Sequence, residues 1–281
     1  MTSAEQQGEG AGPFTTRLIW RPPSGGTAVW ESRPARRRGI ISVRPPGAPA
    51  SGNIRVDDFT LARLRRLNVI AATAFVIGSA LFAVGACAVQ FAREDATICA
   101  LIYFAGSLLF NTGGYVSLLQ VVNAPRHEPG GEGILVTRDW RWWSFEPGRA
   151  DWLSAFVLLG GSQVFAVNVL DSFLQGLSAQ QSNRLIWAPD VVGCLLFLAS
   201  GHLALVEICH RAWPCLHPRS LGWWIVAVNQ LGSVLFLVSA LAAYTRAATD
   251  SPINADVANW GTLLGGGCFF AGGLLLFVEH P

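Results

Sequence analysis

A chain of 281 residues in which 14% are charged and 51% are hydrophobic carries too much apolar surface for a soluble domain or a disordered segment to keep in water. Its net charge of +2 excludes a general polyanion binder. The 20 basic residues are all arginine, which, with abundant Gly, Ala and Pro, reads as the coding bias of a GC-rich bacterial genome.

Residues 1–60 come first. MTSAEQQGEGAGPF is polar and weakly acidic, with no basic stretch leading into an apolar one, so no cleaved secretory signal is expected. Pro13, Pro22, Pro23, Pro34, Pro45, Pro46 and Pro49, interleaved with glycine, predict a mostly disordered, cytoplasmic Arg/Pro/Gly-rich arm. Within it TTRLIW and TAVWES flank PPSGG as candidate strands of a short hairpin, a marginal structure on its own. Residues 57–67, DDFTLARLRRL, set Leu61, Leu64 and Leu67 against Arg63, Arg65 and Arg66 and predict a short amphipathic juxtamembrane helix capped by Asp57.

From Asn68 onward six apolar runs, 68–91, 98–122, 152–176, 187–209, 221–245 and 257–279, are each long enough to cross about 30 Å of hydrocarbon. They lack the alternation of barrel strands. The expected fold class is therefore all-α, a polytopic membrane protein whose six transmembrane helices form three hairpins, 68–122, 152–209 and 221–279, with a Trp/Arg loop over 123–151. Most arginines fall in the arm, the 123–151 loop and the 210–220 loop; Arg93, Arg184 and Arg246 lie opposite. The positive-inside rule then predicts a bacterial inner-membrane protein with both termini cytoplasmic.

The stretch RDWRWWSFEPGRADW places Trp140, Trp142, Trp143 and Trp152 before the third span, and Trp223 and Trp224 precede the fifth. An indole is apolar with one polar N–H, so these residues are expected at the membrane–water boundary among lipids. No basic platform is visible, so no nucleic-acid partner is expected. Residues 1–60 and 138–152 are the surfaces on which a cytoplasmic protein would dock, and self-association is left open.

The spans share a register: GSALFAVG, GSLLFNTG, GSQVFAVN, GCLLFLAS, GSVLFLVS and GGGCFFAG. Each aligns a glycine (Gly78, Gly106, Gly161, Gly193, Gly232, Gly265) with a phenylalanine four residues on (Phe82, Phe110, Phe165, Phe197, Phe236, Phe269). Helical geometry puts both on one stripe, a code for close helix packing in which the Phe of one helix fills the notch left by Gly on a neighbour. Even-numbered spans add Gln120, Glu207 and Glu279 at their cytoplasmic ends, so the repeated unit is a hairpin. FVIGSALF and YFAGSLLF, two such helices joined by a short loop, resemble the YrhK-like family of small bacterial membrane proteins. The resemblance covers 68–122, the later hairpins look like diverged copies, and Gln163, Asn168 and the glycine-rich sixth span depart from it. That family implies no established activity, substrate or catalytic residues.

Polar residues deep in a span are costly, which singles out Asn111, Gln163, Asn168, His202, Asn229 and Gln230. They either pair across helix contacts or converge on a polar cavity. No Asp, Glu or Arg is expected at mid-membrane; Asp171, Asp190, Glu207 and Glu279 fall near span ends. CHRAWPCLH brings Cys209, His210, Cys215 and His217 together, four ligand types suited to zinc but in an unusual spacing, so no metal is expected. No catalytic or cofactor signature occurs. The function expected is a structural or interaction scaffold with a cytoplasmic docking surface; the alternative is a transporter or binder of a small neutral or amphipathic molecule through a polar intramembrane cavity.

Overall fold

The computed structural model describes residues 7–22, 25–47, 51–92, 96–126, 140–174 and 176–279. Where the prolines predict a disordered arm, it has a five-stranded antiparallel sheet in sequential order: β1 (Gln7–Ala11), β2 (Phe14–Trp20), β3 (Thr27–Glu31), β4 (Ile40–Arg44) and β5 (Gly52–Arg55). The proposed hairpin is there as β2 and β3, with Trp20 opposite Ala28, and it is stabilised by further strands on either side. The described prolines do not interrupt the ladders: Pro13 lies in the β1–β2 turn, Pro22 follows β2 and Pro45 follows β4, where a missing N–H costs little. Between β3 and β4 the chain makes α1 (Ser32–Arg38), ended by Gly39 at φ 60°, a left-handed cap that glycine adopts without penalty. Trp20, Ala28, Trp30, Ala35 and Ile41 form the small core of this unit.

The bundle follows. Helix α2 (Asp58–Cys87) runs into a π-turn at Ala88–Ala92 and is followed by α3 (Ala96–Val122), then α4 (Ala150–Asp171). A short α5 (Ala179–Ser182) and a second π-turn lead into α6 (Ala188–Cys209), then α7 (Leu221–Ala242), a two-residue ladder of β6 (Thr245–Arg246) and β7 (Ser251–Pro252), and α8 (Ala255–Val278). Six of these segments are long and apolar enough to cross a membrane, as a multi-pass protein requires. The all-α expectation therefore holds for the bundle, and the N-terminal sheet is an addition to it. The juxtamembrane helix is not separate either: Asp57 accepts from the Thr60 N–H at 2.9 Å and opens α2, which continues unbroken into the first span. Its Leu61, Leu64 and Leu67 are buried in protein, not laid on lipid.

Helix α2 packs on α3, α3 on α4, α4 on α6, α6 on α7, α7 on α8, and α8 returns to α2, so the three hairpins close into a ring. The same contact joins each hairpin. A Cβ at Gly78 would stand 2.9 Å from the Gly106 carbonyl oxygen, one at Gly193 would stand 3.3 Å from that of Gly161, and one at Gly265 would stand 3.1 Å from that of Gly232. Only glycine lets the two backbones come this close, where dispersion replaces the hydrophobic drive that lipid cannot supply. The phenylalanines lie over these notches within the hairpin: Phe197 over Gly161, Phe236 over Gly265, Phe269 over Gly232. Ile77, Val84, Leu108, Leu195, Leu231 and Leu264 face outward, an apolar surface suited to hydrocarbon.

Candidate functional site: a capped lumen

Ring closure brings Phe82, Phe110, Phe165, Phe197, Phe236 and Phe269 together inside the bundle. Their centroids are linked by separations of 5.3 Å for Phe236–Phe269, 5.4 Å for Phe82–Phe165 and Phe110–Phe269, and 5.7 Å for Phe110–Phe197, several edge-to-face. This girdle divides the lumen. On the side of the sheet lies a cavity of about 130 Å³ touching Phe110, Phe197 and Phe269; on the far side lies one of about 220 Å³ touching Phe82, Phe165 and Phe236.

The sheet-side mouth is closed by α1, whose SRPARRR sequence puts Ser32, Arg33, Arg36 and Arg37 over the helix ends. Arg36 Nη2 donates to Glu207 Oε2 at 2.6 Å and Ser32 Oγ to Glu207 Oε1 at 2.7 Å. Arg33 grips Glu279 with both Nε and Nη2, at 2.8 and 2.9 Å. Arg37 donates to the Asn68 carboxamide oxygen and lies 3.6 Å from Glu279, while Asn68 Nδ2 donates to the Leu276 carbonyl at 2.8 Å. Gln120, the third member of the even-span series, donates to the Leu64 carbonyl at 3.2 Å. Equivalent odd-helix positions, ten residues before the glycine, carry Asn68, Asp151 and Gly222; Asp151 accepts two bonds from Arg149, at 3.0 and 2.6 Å, and a Cβ at Gly222 would meet Arg33.

These ion pairs are buried, Glu207 being 1% exposed. Burial works against the Arg36 charge, but Glu207 and Asp151 outweigh it and raise its pKa. Burial and the adjacent Arg36 push Arg37 down to about 9, so it is still charged at neutral pH.

The sheet is fastened around this mouth. Trp30 Nε1 donates to the Pro125 carbonyl at 3.0 Å, the Thr15 N–H to the Gly148 carbonyl at 2.8 Å, and Arg149 lies 5.3 Å over the Trp30 ring. Arg149 and Arg126 share Glu146, at 2.8 and 2.6 Å. Burial raises the Glu146 pKa less than these two guanidiniums lower it, and it falls to about 2. A depressed carboxylate stabilises the fold above its ordinary pKa of 4.5 and loses that contribution as pH falls towards about 2. Discounted for partial exposure, the contribution is on the order of 2 kcal/mol. Glu146→Gln is expected to flatten the melting-temperature profile between those two pH values; a profile as steep as the parent's would remove Glu146 from this role.

The polar residues singled out in the spans mostly pair off. Asn111 donates to the Ser107 and Ser162 carbonyls at 3.0 and 3.2 Å and accepts from Ser162 Oγ at 2.7 Å, tying α3 to α4. Gln230 donates to the Leu198 carbonyl at 3.3 Å. Gln163 and His202 are exposed on the outside of the ring, so they belong to no cavity. Asn229 faces the sheet-side cavity and Asn168 the far one, where Asp190, Ser239 and Thr262 join it. A single polar cavity formed by all six is therefore not what the fold builds.

Cys209 and Cys215 are joined in a disulfide across the turn after α6, and a sulfur bonded to sulfur is no thiolate ligand. His210, at φ 51°, turns its Nδ1 to Thr16 Oγ1 at 2.9 Å, and His217 Nδ1 sits 3.0 Å from Cys215 Sγ. Cys209, Cys215 and His217 thus keep their ligand atoms within 4.8 Å of one another, while His210 is turned away to the sheet.

Of the boundary tryptophans, Trp142, Trp143 and Trp224 are exposed, as a membrane interface requires. Trp152 is not: it is 1% exposed, donates to the Ser144 carbonyl at 3.0 Å and stacks on Phe156 at 5.0 Å. Trp140 is half-buried under Arg63, whose guanidinium lies 5.2 Å from its ring, and Trp223 donates to the Cys215 carbonyl at 2.7 Å. Arg138, at the head of this stretch, lies outside the described residues. Sequence reasoning missed the mouth because Arg33, Arg36 and Arg37 read as topology signals and Glu207 and Glu279 as boundary carboxylates. The one available signal was their complementarity: a cationic helix-forming run and two acids at matching depth.

Compared with family models, with curated proteins and with solved structures, the chain matches none of them.

Proposed function

We propose that this chain is a bacterial inner-membrane protein that takes a small amphipathic molecule into its lumen, with the sheet and α1 as a releasable cap on the cytoplasmic mouth. The observation that carries this is the alignment of two cavities on either side of the phenylalanine girdle, one of them roofed by the arginine helix. Orientation follows the arginine distribution, and the recurrent glycine crossings fit a triplicated hairpin of the YrhK-like kind. Buried ion pairs seldom stabilise more than apolar packing of the same volume, so holding the cap through Arg33, Arg36, Glu207 and Glu279 suits a closure that must come apart. A scaffold whose arm recruits a partner fits less well, because Trp30, Ser32 and Arg33 of the arm are already engaged with the rest of the chain.

The test uses Ser154→Cys, on the wall of the sheet-side cavity, in a background with the free cysteines replaced. A small cationic thiosulfonate is expected to label it slowly in the capped chain and at least about tenfold faster when Arg36→Ala and Glu207→Ala release the cap, a change of ~1.4 kcal/mol in access. Equal rates would refute a capped lumen.

A further inference from the structure

We infer that the sheet-side cavity is a binding site for a small organic monocarboxylate, its apolar body against the phenylalanine girdle and its carboxylate among the α1 arginines. This rests on the lumen reading above and names its ligand. The walls are apolar where Phe110, Phe197 and Phe269 of the girdle form them, together with Phe75, and become polar towards α1, with Asn229 and the guanidiniums of Arg33, Arg36 and Arg37. One end therefore suits hydrocarbon and the other an anion.

Charge selects the anion. Arg126 and Arg149 are matched by Glu146 and Asp151, whereas Arg33, Arg36 and Arg37 face only Glu207 and Glu279, which leaves one positive charge in excess at α1. Asp151 also lines the cavity, but Arg149 engages both of its oxygens, so it does not supply the missing counter-charge. An isolated buried charge is expensive, and a monoanion neutralises it where a dianion would overshoot. Donors are also left over: Arg36 Nε is buried without a hydrogen-bond partner, Arg37 Nε has none nearer than Glu279 at 3.6 Å, and the Asn229 carboxamide lines the cavity. Guanidinium and carboxamide donors are the groups that recognise a planar carboxylate.

Size limits the body. A cavity of about 130 Å³ is comparable with the ~150 Å³ apolar cavity that accepts benzene, so the body is one aromatic ring or a chain of about six carbons. A phospholipid or a nucleotide does not fit.

The full chain in lipid nanodiscs would be titrated with benzoate, with benzyl alcohol and with sodium chloride. The expected result is one benzoate per chain, bound at least about tenfold more tightly than benzyl alcohol, and not displaced by chloride at matched concentration. Asn229→Leu, which removes a carboxamide from the cavity wall, is expected to weaken benzoate by about tenfold while leaving the melting temperature in place. Equal affinity for benzoate and benzyl alcohol would overturn the anion site while leaving a lumen for neutral amphiphiles. Displacement by chloride would overturn the apolar contribution. Binding of neither organic probe would overturn the inference outright, and the Ser154→Cys labelling rates then judge the lumen independently.

Discussion

Gly232→Leu is expected to cost about 3 kcal/mol, the upper end of what overpacking costs in a close-packed interior, and to lower the melting temperature of the purified chain accordingly. A Cβ there would stand 3.1 Å from the Gly265 carbonyl oxygen, from Cys268 Cβ and from Phe269 Cδ2, and leucine adds three further carbons in the same direction. Two of the three obstacles are on helix backbone or on a Cβ, so they move only if α7 and α8 separate. Separation would also withdraw Phe236 and Phe269 from the girdle, so a lumen leak should accompany the lost stability. Gly267→Leu is the control: nothing lies within 4 Å of a Cβ at that position, and the change is expected to be neutral. If both variants melt alike, the glycine crossing does not hold the hairpin.

The second large effect is expected at the mouth. Glu207→Ala removes the acceptor of both Arg36 and Ser32 and strands a guanidinium in a site where the carboxylate was 1% exposed. Breaking one side of a buried pair in this way costs about 3–5 kcal/mol. The arm should become sensitive to protease while the spans stay intact, because the sheet loses its main hold on α6. Replacing both partners, Glu207→Leu with Arg36→Met, should recover most of the stability, since apolar packing of similar volume is often as good as the pair. A double variant as unstable as Glu207→Ala would mean that the cost lies in lost packing and not in an unpaired charge.

The two predictions draw on features of different legibility. The glycine and phenylalanine register was readable because transmembrane helices have few ways to pack, and a repeated small residue with a ring four positions on marks the face that turns inward. The polar residues were legible as suspects but not in their roles: nothing local distinguishes Asn111, which bonds across to Ser162, from Gln163, which faces outward. Helical phase does not separate them: at about 100° per residue both fall on the side away from the Gly/Phe stripe. The sheet was hidden for another reason. Its strands are short, several are rich in Gly and Arg, and its core of Trp20, Ala28, Trp30, Ala35 and Ile41 is too small to declare itself against seven prolines before Ala50. It folds because Trp30, Thr15 and the α1 arginines gain partners from the bundle.

Composition and periodicity alone determined the six spans, the three hairpins and the stripe on which each hairpin closes, because span length and close packing are set by residues near one another in the chain. Only the tertiary structure decided that the hairpins close into a ring, that six phenyl rings meet inside it and that an arginine helix seals one mouth. Arg36 and Glu207 are 171 residues apart, and Arg33 and Glu279 are 246 apart. A charge pair at such separation leaves no periodic trace in the sequence; it exists only once ring closure has fixed where both carboxylates stand.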